Sequence, residues 1–129
     1  MSLRDSILSA ADLKRVPVEV SEWGTKIELR EFSGLDRQRF FALVKPEEGQ
    51  QVDILRYHAT AFILGAYEPG GGPVFNLADD AIEGEIREMS GKNVSVFFPL
   101  AAQVLDLSGI GKEAEERAEK NSGSEAPNE

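Results

Sequence analysis

Residues 16–44, V-P-V-E-V-S-E-W-G-T-K-I-E-L-R-E-F-S-G-L-D-R-Q-R-F-F-A-L-V, decide the fold, because their hydrophobic period changes partway along. Val16, Val18 and Val20 alternate with Pro17, Glu19 and Ser21, and beyond Trp23-Gly24 the residues Ile27 and Leu29 alternate with Lys26, Glu28 and Arg30. Period-two alternation belongs to strands with one covered face. The spacing therefore predicts a two-stranded antiparallel hairpin within residues 16–32, turning at Gly24, which enters positive φ without a Cβ clash. Pro17 has no N–H for a ladder, which assigns its strand to an edge. Ser33-Gly34-Leu35-Asp36 then matches a helix start signal, and Phe40, Leu43 and Val44 follow at helical spacing until Pro46 forbids continuation.

Working outward, Ser2 or Asp5 can cap a short first helix with Leu3, Ile7, Leu8 and Ala11 on one side. A helix this short needs tertiary packing to persist, so it is expected against the hairpin or on a neighbouring subunit. Residues 51–68 make the best single helix: Val52, Leu55, Ala59, Phe62, Ile63 and Ala66 recur at three and four, and Ile54, Ala61 and Leu64 widen the stripe. A stripe that wide places the helix centrally, or against a partner as well. The run Glu68-Pro69-Gly70-Gly71-Gly72-Pro73 reads as a mobile connection dividing the fold into two halves. It is no phosphate loop, since Pro73 removes a donor and no Lys follows.

Asn76 is the expected cap of a helix over residues 77–89, with Leu77, Ile82, Ile86 and Met89 as its apolar face. Its acids Asp79, Asp80, Glu83, Glu85 and Glu88 lack the D-x-D-x-D-G spacing of an oxygen-ligand site and read as a solvated face. In residues 93–109 Val94, Phe97, Phe98, Ala101, Ala102 and Leu105 continue a helical stripe, Pro99 is expected to kink or tighten its first turns, and Gly109 to terminate the helix. Residues 113–120 read as a short charged helix and 122–129 as a disordered acidic tail, leaving one domain over residues 1–121. The fold class expected is mainly α within α+β: four to six helices packed around one small hairpin.

Composition narrows the function. The chain has 129 residues, 41% of them apolar, enough for a single core. With no Cys and one His, thiol chemistry and Cys-based metal sites are excluded, and Ser-His-Asp catalysis would rest wholly on His58, with Asp53 or Glu68 as its nearest candidate acid. His58 borders the apolar stripe of its helix, where a structural hydrogen bond suffices to explain it. The excess of 23 acidic over 14 basic residues, a net charge of −9, repels nucleic acid and anionic membranes. No apolar run approaches the roughly 20 residues of a membrane span, so a soluble, unexported protein is expected. No nucleophile–base pair, metal set or cofactor loop emerges. The expectation is a non-enzymatic protein without cofactor that works by surface recognition. Trp23, Phe62, Phe97 and Phe98 are the candidate partner-binding residues, with self-association expected through the first helix or the Phe97/Phe98 region.

The order of a short N-terminal helix, the V-x-V-x-E-W-G-T-K-I-E-L-R-E-F-S-G-L-D-R hairpin and helix, further helices ending in L-S-G at Leu107 to Gly109, and an acidic tail resembles the tail assembly chaperones of long-tailed bacteriophages. The resemblance covers most of residues 3–121. It implies a protein of the host cytoplasm, absent from the finished virion, that binds and solubilises the tape-measure and tail-tube proteins during tail assembly. The competing expectation is a small structural tail or head–tail component that stays in the particle. The resemblance also implies that a longer product can arise by ribosomal slippage near the end of the frame. Glu119-Lys120-Asn121 can be encoded GAA-AAA-AAC, a run on which paired tRNAs can step back one base.

Overall fold

The hairpin forms where the alternation places it. In the computed structural model, which describes residues 2–110, β1 (Arg15–Val20) and β2 (Thr25–Arg30) pair antiparallel with Val16 opposite Leu29 and Val18 opposite Ile27. A single turn of 3₁₀ helix, Ser21–Trp23, and Gly24 at φ 62° close the reversal, so Gly24 does occupy the left-handed region. Val20, Ile27 and Leu29 are buried and Val18 packs against the core, while Pro17 lies exposed on the edge strand.

Five helices complete the described chain: α1 (Leu3–Ser9), α2 (Gly34–Val44), α3 (Ile54–Gly65), α4 (Ile82–Ser90) and α5 (Val94–Leu107). Ser33 caps α2 as its sequence signal requires, its hydroxyl accepting from Asp36 N at 3.1 Å. The α3 helix is the pillar. Every residue from Ala59 to Gly65 is buried, because α2, α4 and α5 all pack against this helix, and α5 also covers β2. One contiguous core runs from Val20 to Ile110.

Four expectations are corrected. The sheet has three strands, order β1-β2-β3, rather than two, so the fold is α+β and not all-helical. The third strand is β3 (Ala66–Tyr67): instead of continuing α3 to residue 68, the chain leaves the helix at Gly65 and pairs Ala66 with Leu29 and Tyr67 with Glu28. At its other end α3 begins only at Ile54, capped by Asp53.

The Gly-rich run is a closed turn rather than a mobile divider. Glu68 N donates to Gly72 O at 2.9 Å, Gly71 N to Glu68 O at 2.8 Å, Val74 N to Ala66 O at 3.1 Å, and Arg30 Nη2 clasps Gly71 O at 2.8 Å. Finally, Asn76 caps a turn and not a helix. Its Oδ1 accepts from Ala78 N, its own N–H donates to the Glu85 carboxylate at 2.7 Å, and α4 starts six residues later at Ile82.

In α5 the expected helix stands, capped by Asn93, and Pro99 sits inside it without ending it. Its buried face is Phe97, Leu100, Ala101, Val104 and Leu105, so Val94 and Ala102 of the expected stripe are left exposed. Gly109 at φ 74° and the bond from Ile110 N to Leu105 O at 2.8 Å form the left-handed terminator. The expected charged helix at 113–120, the tail at 122–129 and the domain end at 121 lie outside the described residues.

Candidate interaction surface

Apolar relief on this fold has two components, a groove and an uncovered helix. The groove, about 620 Å³, opens between the hairpin corner, the Gly-rich turn and α4. Its floor is Trp23, Ile27, Phe62, Val74, Phe75 and Met89. Its rim is charged, with Glu22, Glu68 and Glu88 against Lys26 and Lys92. Three rings run in edge-on contact beneath it: Trp23 to Phe62 at 5.7 Å between centroids and Phe62 to Phe75 at 5.9 Å. Trp23 is half-buried, its ring against Phe62 and lining the groove.

The uncovered helix is α1. Ser2 caps it, its hydroxyl accepting from Asp5 N at 3.1 Å, yet none of its residues is buried: Leu3, Ile7 and Leu8 are 78%, 62% and 66% exposed. Of the two placements expected for it, packing against the hairpin is not what the structure has. A smaller exposed pair, Leu35 and Phe41, lies on α2.

The four aromatic residues singled out from sequence do not form one patch. Trp23 and Phe62 meet at the groove, whereas Phe97 and Phe98 belong to α5. Phe62 and Phe97 are core residues, enclosed because α3 and α5 pack face to face along them. Phe98 is half-buried under His58, the two rings stacked at 4.0 Å and 13°. His58 Nδ1 lies 2.9 Å from Ile54 O, a bond it makes as donor. Stacking and that bond account for His58 within its own helix and α5; Asp53 is engaged separately, capping α3 through Arg56 N.

Sequence reading missed Ile27, Val74, Phe75 and Met89 as groove residues. Phe75, two residues past the Gly-rich run, was the available signal, but its use required knowing that the run folds back on Ala66. The electrostatic anchor of the site's far side was also missed. Arg56 grips Glu83 through two bonds of 2.9 and 2.8 Å and donates from Nε to Leu43 O at 2.7 Å, tying the ends of α2, α3 and α4. The Arg56 hydrogen bonds hold the Glu83 carboxyl below its ordinary range, and the Arg56 guanidinium is raised in turn.

These elements define a small α+β domain with apolar surface relief. Among the described residues no three His, Asp or Glu side chains gather as a cation site, and no helix is long and apolar enough to cross a membrane. The solved structure of the bacteriophage HK97 tail assembly chaperone is similar, with a TM-score of 0.56 and 29% sequence identity over 82% of this chain and 98% of that one. No protein-family model matches the chain, and no curated protein sequence does. The structural likeness supports membership of the phage tail assembly chaperone family, the family that the hairpin-and-helix motif resembles. That neighbour is a chaperone rather than an enzyme.

Proposed function

We propose that this chain is a non-enzymatic tail assembly chaperone that binds the tape-measure and tail-tube proteins in the host cytoplasm, keeps them soluble while the tail is built, and then leaves the particle. The observation that carries the reading is the likeness to the HK97 chaperone over nearly the whole of that protein, at 29% identity. The surface supports it physically. A groove with an aromatic floor and charged rim, beside separately exposed apolar side chains, suits recognition of apolar segments on another chain.

Interrupting the gene in the phage genome tests the role in its own setting. The expected outcome is loss of tails, with the tape-measure protein moving to the insoluble fraction, and restoration by the chain supplied in trans. Mass spectrometry of purified virions is expected to find the chain missing or strongly substoichiometric. Stoichiometric retention in virions would instead establish a structural component, and normal tails without the gene would remove the chaperone role.

A further inference from the structure

We infer that the exposed face of α2 is a docking surface for a helix of the client protein, one that is apolar along its contact side and acidic at the borders. The inference rests on the client-binding reading and gives the client a surface apart from the groove. Two consecutive phenylalanines part company on this helix. Phe40 is fully buried against Phe32 and Tyr57, whereas Phe41 is 44% exposed and Leu35 79% exposed. Neither Leu35 nor Phe41 belongs to the core of its own chain.

Charge says what fits there. At about 100° per residue, Leu35, Gln38, Phe41, Ala42 and Lys45 share about a third of the helix circumference, with Arg37 and Arg39 on its two borders. All five are exposed. Asp36, the one acid of α2, lies on the opposite, half-buried side. In a chain of net charge −9 this face therefore carries cations and no carboxylate of its own. Arg37 donates to the neutral Ser108 carbonyl at 2.8 Å and stands 5.6 Å over the Phe41 ring, and among the described residues neither Arg37 nor Lys45 has an ion pair. Arg39 is paired at 3.0 Å with an Asp79 carboxylate left wholly in solvent, an exchangeable partner. The complement of such a face is apolar in the middle and acidic at its edges.

The platform is held in place before anything docks. Ser33 caps α2, Arg56 Nε grips its last turn through Leu43 O at 2.7 Å, and Arg37 ties its first turn to the end of α5. Docking therefore costs this chain little ordering. Eleven residues make a ridge about 16 Å long, room for three turns of a partner helix packed ridge into groove. Helix backbone is satisfied internally, so an extended segment finds no ladder to join here. Among the described residues a second copy has no such helix to offer. α4 is acidic, but its Ile82, Ile86 and Met89 are buried in its own core, and α1 carries one acid beside one cation. The occupant is another protein.

The test co-produces the full chain with the tape-measure and tail-tube proteins of the same phage genome and measures client binding against substitution and salt. The Leu35→Glu/Gln38→Glu variant is expected to weaken binding by at least about tenfold. It should keep the parent melting temperature, since both side chains are exposed. Gln38→Lys should hold or tighten binding, and binding by the parent chain should fall as salt rises. A parent chain that solubilises its client while the α2 variants bind just as well would overturn the inference and leave the chaperone reading standing. A parent chain that binds no client would overturn both. Substitutions that change the sedimentation of the chain alone and spare client binding would make this face a contact between copies, which overturns the inference as well.

Discussion

Ser108 shows what one side chain does at the junction of sheet and helices. Its hydroxyl accepts from Phe32 N at 2.9 Å and donates to Val104 O at 2.8 Å, while its carbonyl accepts from Arg37 Nη1 at 2.8 Å. The exit of β2 is thereby fastened to the end of α5. Ser108→Ala leaves the Phe32 amide without its acceptor, and urea unfolding is expected to show a loss of about 1–3 kcal/mol. Trp23→Ala removes a half-buried ring from Phe62, an expected loss of about 1–2 kcal/mol. That is several degrees of melting temperature for a domain this size. An unchanged melting temperature with lost client binding would make Trp23 an anchor for partners and not a packing residue. Residues whose role is local were legible in sequence: the Ser33 cap and the positive-φ glycines Gly24 and Gly109 depend only on their neighbours. Ser108 was not, because its partner Phe32 is brought to it from across the fold.

At the scale of elements, the closeness of α3 and α5 is set by Gly65. A Cβ there would stand 2.5 and 2.6 Å from the two Val104 methyls, so the helices approach through the space glycine leaves. Gly65→Ala is expected to destabilise by about 1–3 kcal/mol from overpacking. In the background of Val104→Ala the same change should cost clearly less, a non-additivity that a double-mutant cycle measures.

The Arg56–Glu83 pair belongs to this scale as well. Because Arg56 depresses the Glu83 carboxyl, the pair's stabilisation is present above the unfolded value near 4.5 and is lost as pH falls through the lower folded value. Both side chains are partly solvated, so the magnitude is that of a surface pair, about 0.2–1 kcal/mol. Glu83→Gln should lower stability at neutral pH and flatten its fall below pH 4.5, as read by thermal melts across pH.

Element type followed from periodicity in β1, β2, α2 and α5, where one face is buried and the other wet. It failed at the ends of α3 and at residues 76–81, where tertiary pairing overrode propensity: β2 captured Ala66 and Tyr67, and Glu85 captured Asn76. A two-residue strand has no period of its own to read.

For the molecule as a whole, a net charge of −9 coexists with an open apolar groove, an uncovered α1 and exposed Leu35 and Phe41. Charge keeps such a surface in solution while apolar relief gives it something to bind, a combination suited to holding another chain soluble. That general character was legible from composition. The groove was not, since it gathers side chains from the hairpin, α3, the Gly-rich turn and α4, and only Trp23 and Phe62 of its floor had been singled out. The proposal of a longer, slippage-derived product stands on codons, and sequencing across Glu119-Lys120-Asn121 decides it: codons that break the A-run remove it.

Co-expression tests whether this chain keeps tail proteins soluble by binding them. The tape-measure and tail-tube proteins of the same phage genome would each be produced with and without the chain, and the soluble fraction quantified. The expected outcome is a marked rise in soluble client that co-elutes with the chain. Equal solubility with and without it, and no co-elution, would rule out this role for the chain.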